Sequence, residues 1–241
     1  MKLVASLPMY RTSDNGSDWD ALWSHFADAL RAGGVAAPQA LAHPDNLHDH
    51  WRDPALLLSQ SCALPYRRYL TGKVQILASI DFGLADCQAG DYNSVIVART
   101  GRNWPDLRKT GRPAVNDFDS QSGANVLTGM GVELGHALVT GAHAASATAV
   151  ADGEADYAAI DAQSWRLIQK TSDMAATLDV VHHTKSTPGL PLITGLAQDV
   201  DAISAALQVG LANSPPDLLK RLDIVGLHLR GASDYADASA F

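Results

Sequence analysis

Short apolar runs alternate with stretches of helical apolar spacing along most of the chain. The apolar runs predict strands at residues 3–9, 55–58, 74–79, 94–99, 113–115, 155–160, 178–181 and 192–194. Apolar positions at helical spacing predict helices at residues 19–30, 104–109, 122–138, 143–153, 164–168, 199–211 and 216–222. Alternating strands and helices are typical of mostly parallel sheets covered by helices, so the pattern predicts an α/β fold.

One connection between predicted strands is much longer than the others. The segment DFGLADCQAGDYN follows the strand at 74–79 and leads to the strand at 94–99. A connection of this length inside an α/β domain often marks a passage between lobes. The apolar run at 192–194 would then return the chain to the first lobe. A length of 241 residues suits either one α/β domain or two lobes of about 120 residues each.

Composition and charge exclude several kinds of partner. The chain has ordinary globular usage, with 46% hydrophobic and 18% charged residues. A formal net charge of −8 argues against binding to nucleic acid or to anionic lipid. A small anion remains compatible, because local N–H groups outweigh a distant charge that salt screens. No stretch approaches the roughly 20 apolar residues that span a bilayer, so we expect no membrane insertion.

The N-terminus and the cysteines bear on the compartment. The apolar run after Lys2 is too short for a signal-peptide core and is broken by Pro8. No export signal is therefore visible, which leaves a cytoplasmic location open. Cys62 and Cys87 are compatible with one disulfide or with two small core residues. We favour unpaired thiols, because disulfides are typical of exported proteins.

The segment PAVNDFDSQSGANVLTGM passes from a short strand through polar residues into a helix. Its centre is Ser120, Gln121, Ser122 and Gly123. Two hydroxyls and a glycine at a helix N-terminus offer an anion backbone N–H groups, side-chain donors and close approach without a Cβ. The alternative is that Ser120 or Ser122 only caps the helix and binds nothing.

Polar residues follow the ends of four predicted strands. They are Tyr10, Ser59 to Ser61, Ser120 to Ser122 and Asp161. The run Ser59, Gln60 and Ser61 repeats the pattern of the main turn, with hydroxyls before a helix that starts in CALPYRRYL. Because parallel sheets bind ligands beyond the carboxyl ends of their strands, these positions predict one shared cleft.

Five segments carry a resemblance to a known family. They are SQSCALPYR, SVIVAR, NDFDSQSGANVL, TGAHAAS and DYAAIDAQSW. At these segments the chain resembles the phosphate/phosphonate-type periplasmic substrate-binding proteins of ABC importers, and the similarity runs through nearly the whole chain. Its most specific part is a serine-x-serine-glycine turn before a helix, followed some twenty residues later by a histidine at the next helix start.

The resemblance implies a two-lobed, hinged fold of the periplasmic-binding-protein type, with a mostly parallel sheet flanked by helices in each lobe. Lobe one would comprise residues 1–90 and 191–241, lobe two would comprise residues 91–190, and the ligand would lie in the cleft between them. The implied function is the binding of a small oxyanion-bearing ligand, such as phosphate or phosphonate, for an ABC transporter. The implied compartment is the periplasm, and an ABC permease would be the partner of an exported protein.

The resemblance also assigns ligand contacts residue by residue. The anion-binding turn falls on Ser120, Gln121, Ser122 and Gly123, and the anion-contacting histidine falls on His143. Further pocket residues fall on Ser59 to Ser61 and on Asp161, which would accept a hydrogen bond from the other end of the ligand. The alternative role of Asp161 is to cap the helix that begins near Ser164.

Two other functions stay open from the residues alone. An enzyme or sensor on the same fold would act on a small acidic metabolite, since fold does not fix function. A metal-dependent enzyme is suggested by nine histidines, which include His43, His48, His50 and the pair His182 and His183. No H-E-x-x-H or similar ligand spacing occurs, and no nucleophile with an adjacent base is visible. We therefore expect a non-enzymatic protein with no catalytic residue, no metal and no cofactor.

Overall fold

The computed structural model describes residues 2–236, and strands and helices alternate through this range. The strands are β1 (Val4–Ala5), β2 (Leu56–Gln60), β3 (Val74–Asp81), β4 (Asp91–Tyr92), β5 (Ser94–Arg99), β6 (Pro113–Val115), β7 (Leu138–Val139), β8 (Tyr157–Asp161), β9 (Leu178–His183), β10 (Thr187–Pro188), β11 (Pro191–Gly195) and β12 (Gly226–Leu229). The α/β class that the apolar pattern predicts is confirmed.

The α-helices lie mostly where the apolar spacing places them. They are α1 (Gly16–Ala32), α2 (Leu47–Trp51), α3 (Ala63–Pro65), α4 (Trp104–Thr110), α5 (Val126–Gly129), α6 (His143–Ala151), α7 (Ala162–Thr171), α8 (Val200–Ala212) and α9 (Pro216–Arg221). A π-helical turn, Tyr66–Leu70, continues α3, and another, Gln121–Asn125, precedes α5. No helix within residues 2–236 has both the length and the apolar character needed to span a bilayer.

The chain forms two compact units. The first contains the residues up to Gly83 and resumes at Pro188, and the second contains Leu84–Thr187. The chain leaves the first unit soon after β3 ends, so these limits differ by a few residues from the expected lobe limits of 90 and 191. Residue 1 and residues 237–241, which the expected first lobe includes, lie outside the described residues.

Each unit has a five-stranded sheet. In the first unit the strand order is β1-β2-β11-β3-β12, in which β1 and β2 are parallel and the pairs of β11 with β2, β11 with β3 and β12 with β3 are antiparallel. In the second unit the order is β7-β6-β8-β5-β9. There β6 runs parallel to β7 and β8, whereas β5 is antiparallel to β8 and β9.

The expectation of mostly parallel sheets is therefore wrong in detail, because both sheets are mixed. A parallel neighbour requires a crossover, which is usually a helix. Helices separate the parallel pairs β1 and β2, and β6 and β7. In the described chain no helix lies between β3 and β5 or between β9 and β11, and β5 and β11 form antiparallel pairs.

The predicted helix at 122–138 is also shorter than expected. Helical structure stops at Gly129, and Gly131 has a φ of +78°, a left-handed conformation that favours glycine. The chain after Gly131 forms a loop that leads to β7. As a result, the serine turn and His143 are joined by a short helix, a loop and an edge strand.

In the second unit, both faces of the sheet are covered. Residues of one parity in β5 and β8, such as Val97 and Ile160, belong to one buried cluster, which includes residues of α6 and α7. Residues of the other parity, such as Ile96 and Ala159, belong to a second cluster, which includes residues of α4 and α5. Successive side chains of a strand point to opposite faces, and both faces are covered here. The interior positions of β5 and β8 are therefore apolar without alternation.

In the first unit, α1 crosses α8 at close range. A Cβ on Gly210 would lie 2.8 Å from a ring carbon of Phe26 and 2.9 Å from the carbonyl oxygen of His25, so only glycine fits at the crossing. Phe26 shares the buried face of α1 with Trp19, Leu22, Trp23 and Leu30. This face is the one that the apolar spacing predicts.

Candidate functional site

The serine turn starts the short helix in the second unit. Ser120 has extended backbone and caps the helix, and its Oγ accepts a hydrogen bond of 3.0 Å from the backbone N–H of Gly123. Ser120, Gln121 and Ser122 are all buried. The capping role expected for a serine is thus present at Ser120, while the hydroxyl of Ser122 takes a different partner.

Ser122 and His143 are in direct contact. The Oγ of Ser122 lies 2.9 Å from Nε2 of His143, and the Oγ of Ser120 lies 3.5 Å from that of Ser122. The turn follows β6 and His143 follows β7, and these parallel strands are neighbours, so their carboxyl ends share one edge of the sheet. The structure therefore brings together two serines and a histidine that are separated by 21 positions, counted from Ser122.

Gly123 leaves room for a side chain that the sequence analysis missed. A Cβ at this position would overlap Oδ1 of Asn116 and would lie 3.2 Å from Oγ of Ser120. Asn116 follows directly after β6, and its Oδ1 is buried with no hydrogen-bond partner. A polar residue directly after a predicted strand was the available signal for Asn116.

Asp161 ends β8, the strand beside β6 in the same sheet. Its carboxylate accepts a hydrogen bond of 2.9 Å from the backbone N–H of Ser164, and it is only 2% exposed. The helix-capping role for Asp161 is thus observed. Because β6 and β8 are parallel, Asp161 lies at the same edge of the sheet as the serine turn.

Buried polar atoms without partners collect at this edge of the second unit. They include Nδ1 of His143, Oδ1 of Asn116 and Oγ of Ser94, which pairs in register with Asp161. An unsatisfied buried polar group costs about 1–3 kcal/mol, and such groups are uncommon in native proteins. Beyond the strand ends these atoms provide hydrogen-bonding capacity that no described residue uses.

The electrostatic state of His143 follows from its surroundings. Burial lowers the pKa of His143 to about 4. The residue retains some exposed surface, but Nδ1 is buried. At neutral pH the ring is therefore uncharged and has one N–H. If Nε2 accepts from Ser122, the N–H is on Nδ1 and is available to an acceptor.

In the first unit, the three residues of the second predicted turn differ in their contacts. Ser59 and Gln60 lie within β2 and not at a helix start, because the strand extends two residues beyond the apolar run. The backbone N–H of Ser61 donates to the carbonyl of Pro191 at 2.9 Å, and its hydroxyl donates to the carbonyl of Cys62 at 3.3 Å. Cys62 caps the helix.

Ser59 belongs to a buried hydrogen-bond chain. Its Oγ lies 2.8 Å from Oγ of Ser6, and the latter lies 2.8 Å from Nε2 of His50. Gln60 points to the other face of the strand. It is fully buried, and neither Oε1 nor Nε2 has a hydrogen-bond partner in the described part of the chain. Of the three predicted residues, Gln60 therefore has the unused hydrogen-bonding capacity.

Tyr10 follows β1 in the first unit and is buried. Its ring packs edge-on against Phe82, with the centroids 4.8 Å apart. Its carbonyl accepts hydrogen bonds from Asn15 Nδ2 at 2.9 Å and from Trp19 Nε1 at 3.3 Å. Since β1 and β2 are parallel neighbours, Gln60, the last residue of β2, and Tyr10, five residues beyond β1, both lie on the carboxyl side of their strands.

Two further histidines make aromatic contacts. His48 packs edge-on against Trp51 and Tyr69, and His182 stacks on Trp104. Across residues 2–236, no three His, Cys, Asp or Glu side chains are grouped as ligands of a metal ion would be. No disulfide joins Cys62 to Cys87.

Two hydroxyl–imidazole pairs correct the statement that no nucleophile has an adjacent base. They are Ser122 with His143 and Ser6 with His50, whose members are 21 and 44 positions apart and so are not recognisable from spacing. A catalytic triad needs a third group on the other ring nitrogen of the histidine. Nδ1 of His143 has no such partner, and Ser6 is fully buried. Neither pair has the geometry of an acyl-transfer site.

Comparison with known proteins establishes the fold. No protein-family model matches the chain, and no curated protein sequence is significantly similar to it. Among solved structures, PhnD1 from Prochlorococcus marinus (MIT 9301) in complex with methylphosphonate is similar, with a TM-score of 0.73 and 18% identity over 97% of this chain and 94% of that one.

Two further structures have the same fold. XAC2383 from Xanthomonas citri bound to chloride has a TM-score of 0.70 and 18% identity, and the match covers 99% of this chain and 96% of that one. A binding protein component of an ABC phosphonate transporter from Pseudomonas aeruginosa has a TM-score of 0.72 and 18% identity, with coverage of 97% and 82%. The chain thus has the fold of periplasmic binding proteins.

Proposed function

We propose that this protein is a non-enzymatic solute-binding protein that binds a small oxyanion-bearing ligand, such as phosphate or a phosphonate, for an ABC transporter. The observation that carries the proposal is the contact of Ser122 with His143 at the start of a helix, beside buried polar atoms that have no partner. The fold supports it, because structures with this fold include a methylphosphonate complex and a chloride complex.

The chemistry of the turn suits an anion. A helix N-terminus contributes about 0.3–1 kcal/mol to anion binding, or about 2 kcal/mol when partly buried, whereas micromolar affinity requires about 8 kcal/mol. The helix end is therefore insufficient alone. Hydrogen bonds to a charged ligand contribute roughly 1.5–3 kcal/mol each, so donation from Nδ1 of His143, whose tautomer Ser122 would set, and from backbone N–H groups of the turn supplies the difference.

His143 and Asn116 would have complementary roles at the ligand. A neutral His143 with its proton on Nδ1 donates to an oxyanion without a buried charge of its own. The Oδ1 of Asn116 is an acceptor and suits a hydroxyl or another donor on the ligand. We propose Ser120, Gln121 and Asp161 as further contacts, with Gln60, Ser61, Ser59 and Tyr10 as candidates in the first unit.

Binding is favoured over catalysis at this site. If Ser122 were a nucleophile, His143 would be its base, and a third group would have to hold the other ring nitrogen of His143. That nitrogen, Nδ1, has no partner among the described residues. The same unpartnered nitrogen is suited to a ligand. Delivery to a permease would place the protein in the periplasm, and both the permease and the compartment are parts of this proposal.

A ligand panel tests the proposal on the intact protein. Thermal unfolding is followed with phosphate, methylphosphonate, a sulfonate, a small carboxylate and zinc. A ligand that binds only the native state and is present at a concentration of 100 times its Kd stabilises that state by about 2.7 kcal/mol. A phosphorus oxyanion at such a concentration should therefore raise the Tm by several degrees. Stabilisation by zinc with no response to any oxyanion would contradict the proposal.

A further inference from the structure

A groove of about 670 Å³ lies in the second unit and is separate from the serine turn. We call it the Trp104 groove. Its walls include Trp104, Arg108 and Lys109 of α4, Glu133 of the loop after α5, and Tyr157. The volume falls within the roughly 300–1,000 Å³ that is typical of small-molecule pockets.

The groove and the serine turn lie at opposite edges of one sheet. Tyr157 is the first residue of β8 and Asp161 is the last, and Asp161 marks the edge that carries the turn. At about 3.3 Å per residue, the two ends of this strand are about 13 Å apart. A ligand in the groove would therefore occupy a different site from one bound at Ser122.

The hydroxyl of Tyr157 is the clearest sign of a ligand. The residue is fully buried, and its hydroxyl has no hydrogen-bond partner within residues 2–236. Burial raises the pKa of Tyr157 to about 12, with a further contribution from Asp156, so the hydroxyl stays protonated. Phenylalanine would fill the same space without an unsatisfied group, so packing alone does not explain the hydroxyl.

The rim of the groove is positive although the chain is acidic. Arg108 and Lys109 are exposed on α4, and neither forms an ion pair with any described residue. Glu133, on the opposite loop, is the acidic residue among those lining the groove. Two cations and one carboxylate leave a local positive charge, which favours an anionic group.

Aromatic side chains form the wall beside this charge. The rings of Trp104 and Tyr157 are in edge-on contact, with centroids 5.3 Å apart. Trp104 also stacks on His182 with centroids 5.7 Å apart, which fixes the indole in place. Gly111 allows the Tyr157 ring to approach, since a Cβ there would lie 3.1 Å from Cε1 of that ring. The wall thus suits a flat ring.

We propose that the Trp104 groove binds a small ring-hydroxylated aromatic carboxylate. The aromatic ring packs against Trp104, the carboxylate pairs with Arg108 at the rim, and the ring hydroxyl exchanges a hydrogen bond with Tyr157. The cation, the aromatic wall and the buried hydroxyl each match one part of this ligand class.

The test compares 4-hydroxybenzoate with benzoate by isothermal titration calorimetry. The wild-type protein should bind 4-hydroxybenzoate at least 5-fold more tightly than benzoate. Tyr157→Phe should reduce the affinity for 4-hydroxybenzoate to that for benzoate and leave benzoate binding unchanged, so benzoate also checks that the variant is folded. Arg108→Gln should weaken both ligands at least 5-fold, whereas the matched Arg52→Gln, in the first unit, should weaken neither.

Ser122→Ala separates this proposal from the proposed function. Its titration should show unchanged binding of 4-hydroxybenzoate, because the groove is a different site. Loss of 4-hydroxybenzoate binding in Ser122→Ala would place that ligand at the serine turn and overturn the groove. The proposal would also be overturned if the wild type bound neither aromatic acid at millimolar concentration. It would be overturned too if 4-hydroxybenzoate and benzoate had equal affinities in the wild type and again in Tyr157→Phe.

Discussion

At the scale of single residues, each unit has candidate ligand contacts that carry buried polar atoms without a partner among residues 2–236. Gln60, Asn116 and His143 each carry such atoms, and each follows or ends a strand. Each unsatisfied group lowers the stability of the native state by about 1–3 kcal/mol. Residues of this kind are retained for a reason other than stability, and a ligand that supplies the missing hydrogen bonds is a sufficient reason.

Gln60→Met tests this argument directly. The substitution removes two unpartnered buried atoms and keeps a similar volume, so the free energy of unfolding should stay constant or rise by about 1 kcal/mol. Affinity for the stabilising anion should fall. Gln75→Met is the matched control, because the Gln75 amide donates to the carbonyls of Gly195 at 3.1 Å and Gln198 at 3.0 Å. The control should lose stability, and higher stability with unchanged anion affinity in Gln60→Met would remove Gln60 from the site.

His143 should make stability depend on pH. Its pKa is lowered from 6.5 to about 4 in the folded state, so the unfolded chain binds more protons between these values. Stability should therefore be complete above pH 6.5 and should fall as the pH drops towards 4, by up to about 3 kcal/mol. The measurement is urea unfolding at several pH values for wild type and His143→Gln. The difference between the two curves isolates His143 from His50, whose pKa burial also lowers, and a pH-independent difference would contradict the prediction.

At the scale of elements, the apolar pattern predicts the positions of most strands because both faces of the second sheet are covered. β5 and β6 start and end where the pattern places them, since each contains an uninterrupted apolar run. The pattern does not specify strand direction, because it does not show which strands pair in the sheet or whether a helix separates the paired strands along the chain. It also overextends the helix after the serine turn, because apolar residues continue past Gly131 into a loop.

The site itself was predictable only in part. The serine turn is visible from residue chemistry, because hydroxyls and a glycine stand between a strand and a helix. The family resemblance predicts His143, whereas no local pattern does, because His143 lies 21 positions after Ser122. Asn116 directly follows a predicted strand, but its approach to Gly123 is a tertiary contact. The Ser6–His50 pair also depends on a tertiary contact, and no sequence spacing reveals it.

The crossing of α1 and α8 gives an element-scale prediction. Gly210→Ala places a methyl group within 2.9 Å of backbone atoms of α1, which separates the helices. Overpacking of this kind typically costs 1–3 kcal/mol, so the Tm should fall by several degrees. Val209→Ala on the exposed face of the same helix is the control and should change stability by less than about 0.5 kcal/mol. Equal Tm values for Gly210→Ala and wild type would contradict this prediction, because the helices would then separate without loss of stability.

At the scale of the whole molecule, the chain has the fold of periplasmic binding proteins, although no family model and no curated sequence matches it. At 18% identity the fold is shared, whereas the ligand is set by the residues at the strand ends. Those residues here include hydroxyls, a neutral imidazole and buried amides. Their combination favours an oxyanion that also carries a hydrogen-bond donor.

The central claim is that Ser122 and His143 bind the oxyanion. The most direct measurement is a calorimetric titration of methylphosphonate, or of the panel oxyanion that stabilises best, into wild type, Ser122→Ala and the exposed-serine control Ser24→Ala. Ser122→Ala removes the hydroxyl that keeps the proton of His143 on Nδ1 and so weakens the charge-assisted hydrogen bond to the anion. Binding should weaken about 10- to 100-fold in Ser122→Ala and stay unchanged in Ser24→Ala. Equal affinity in Ser122→Ala and wild type would contradict the account.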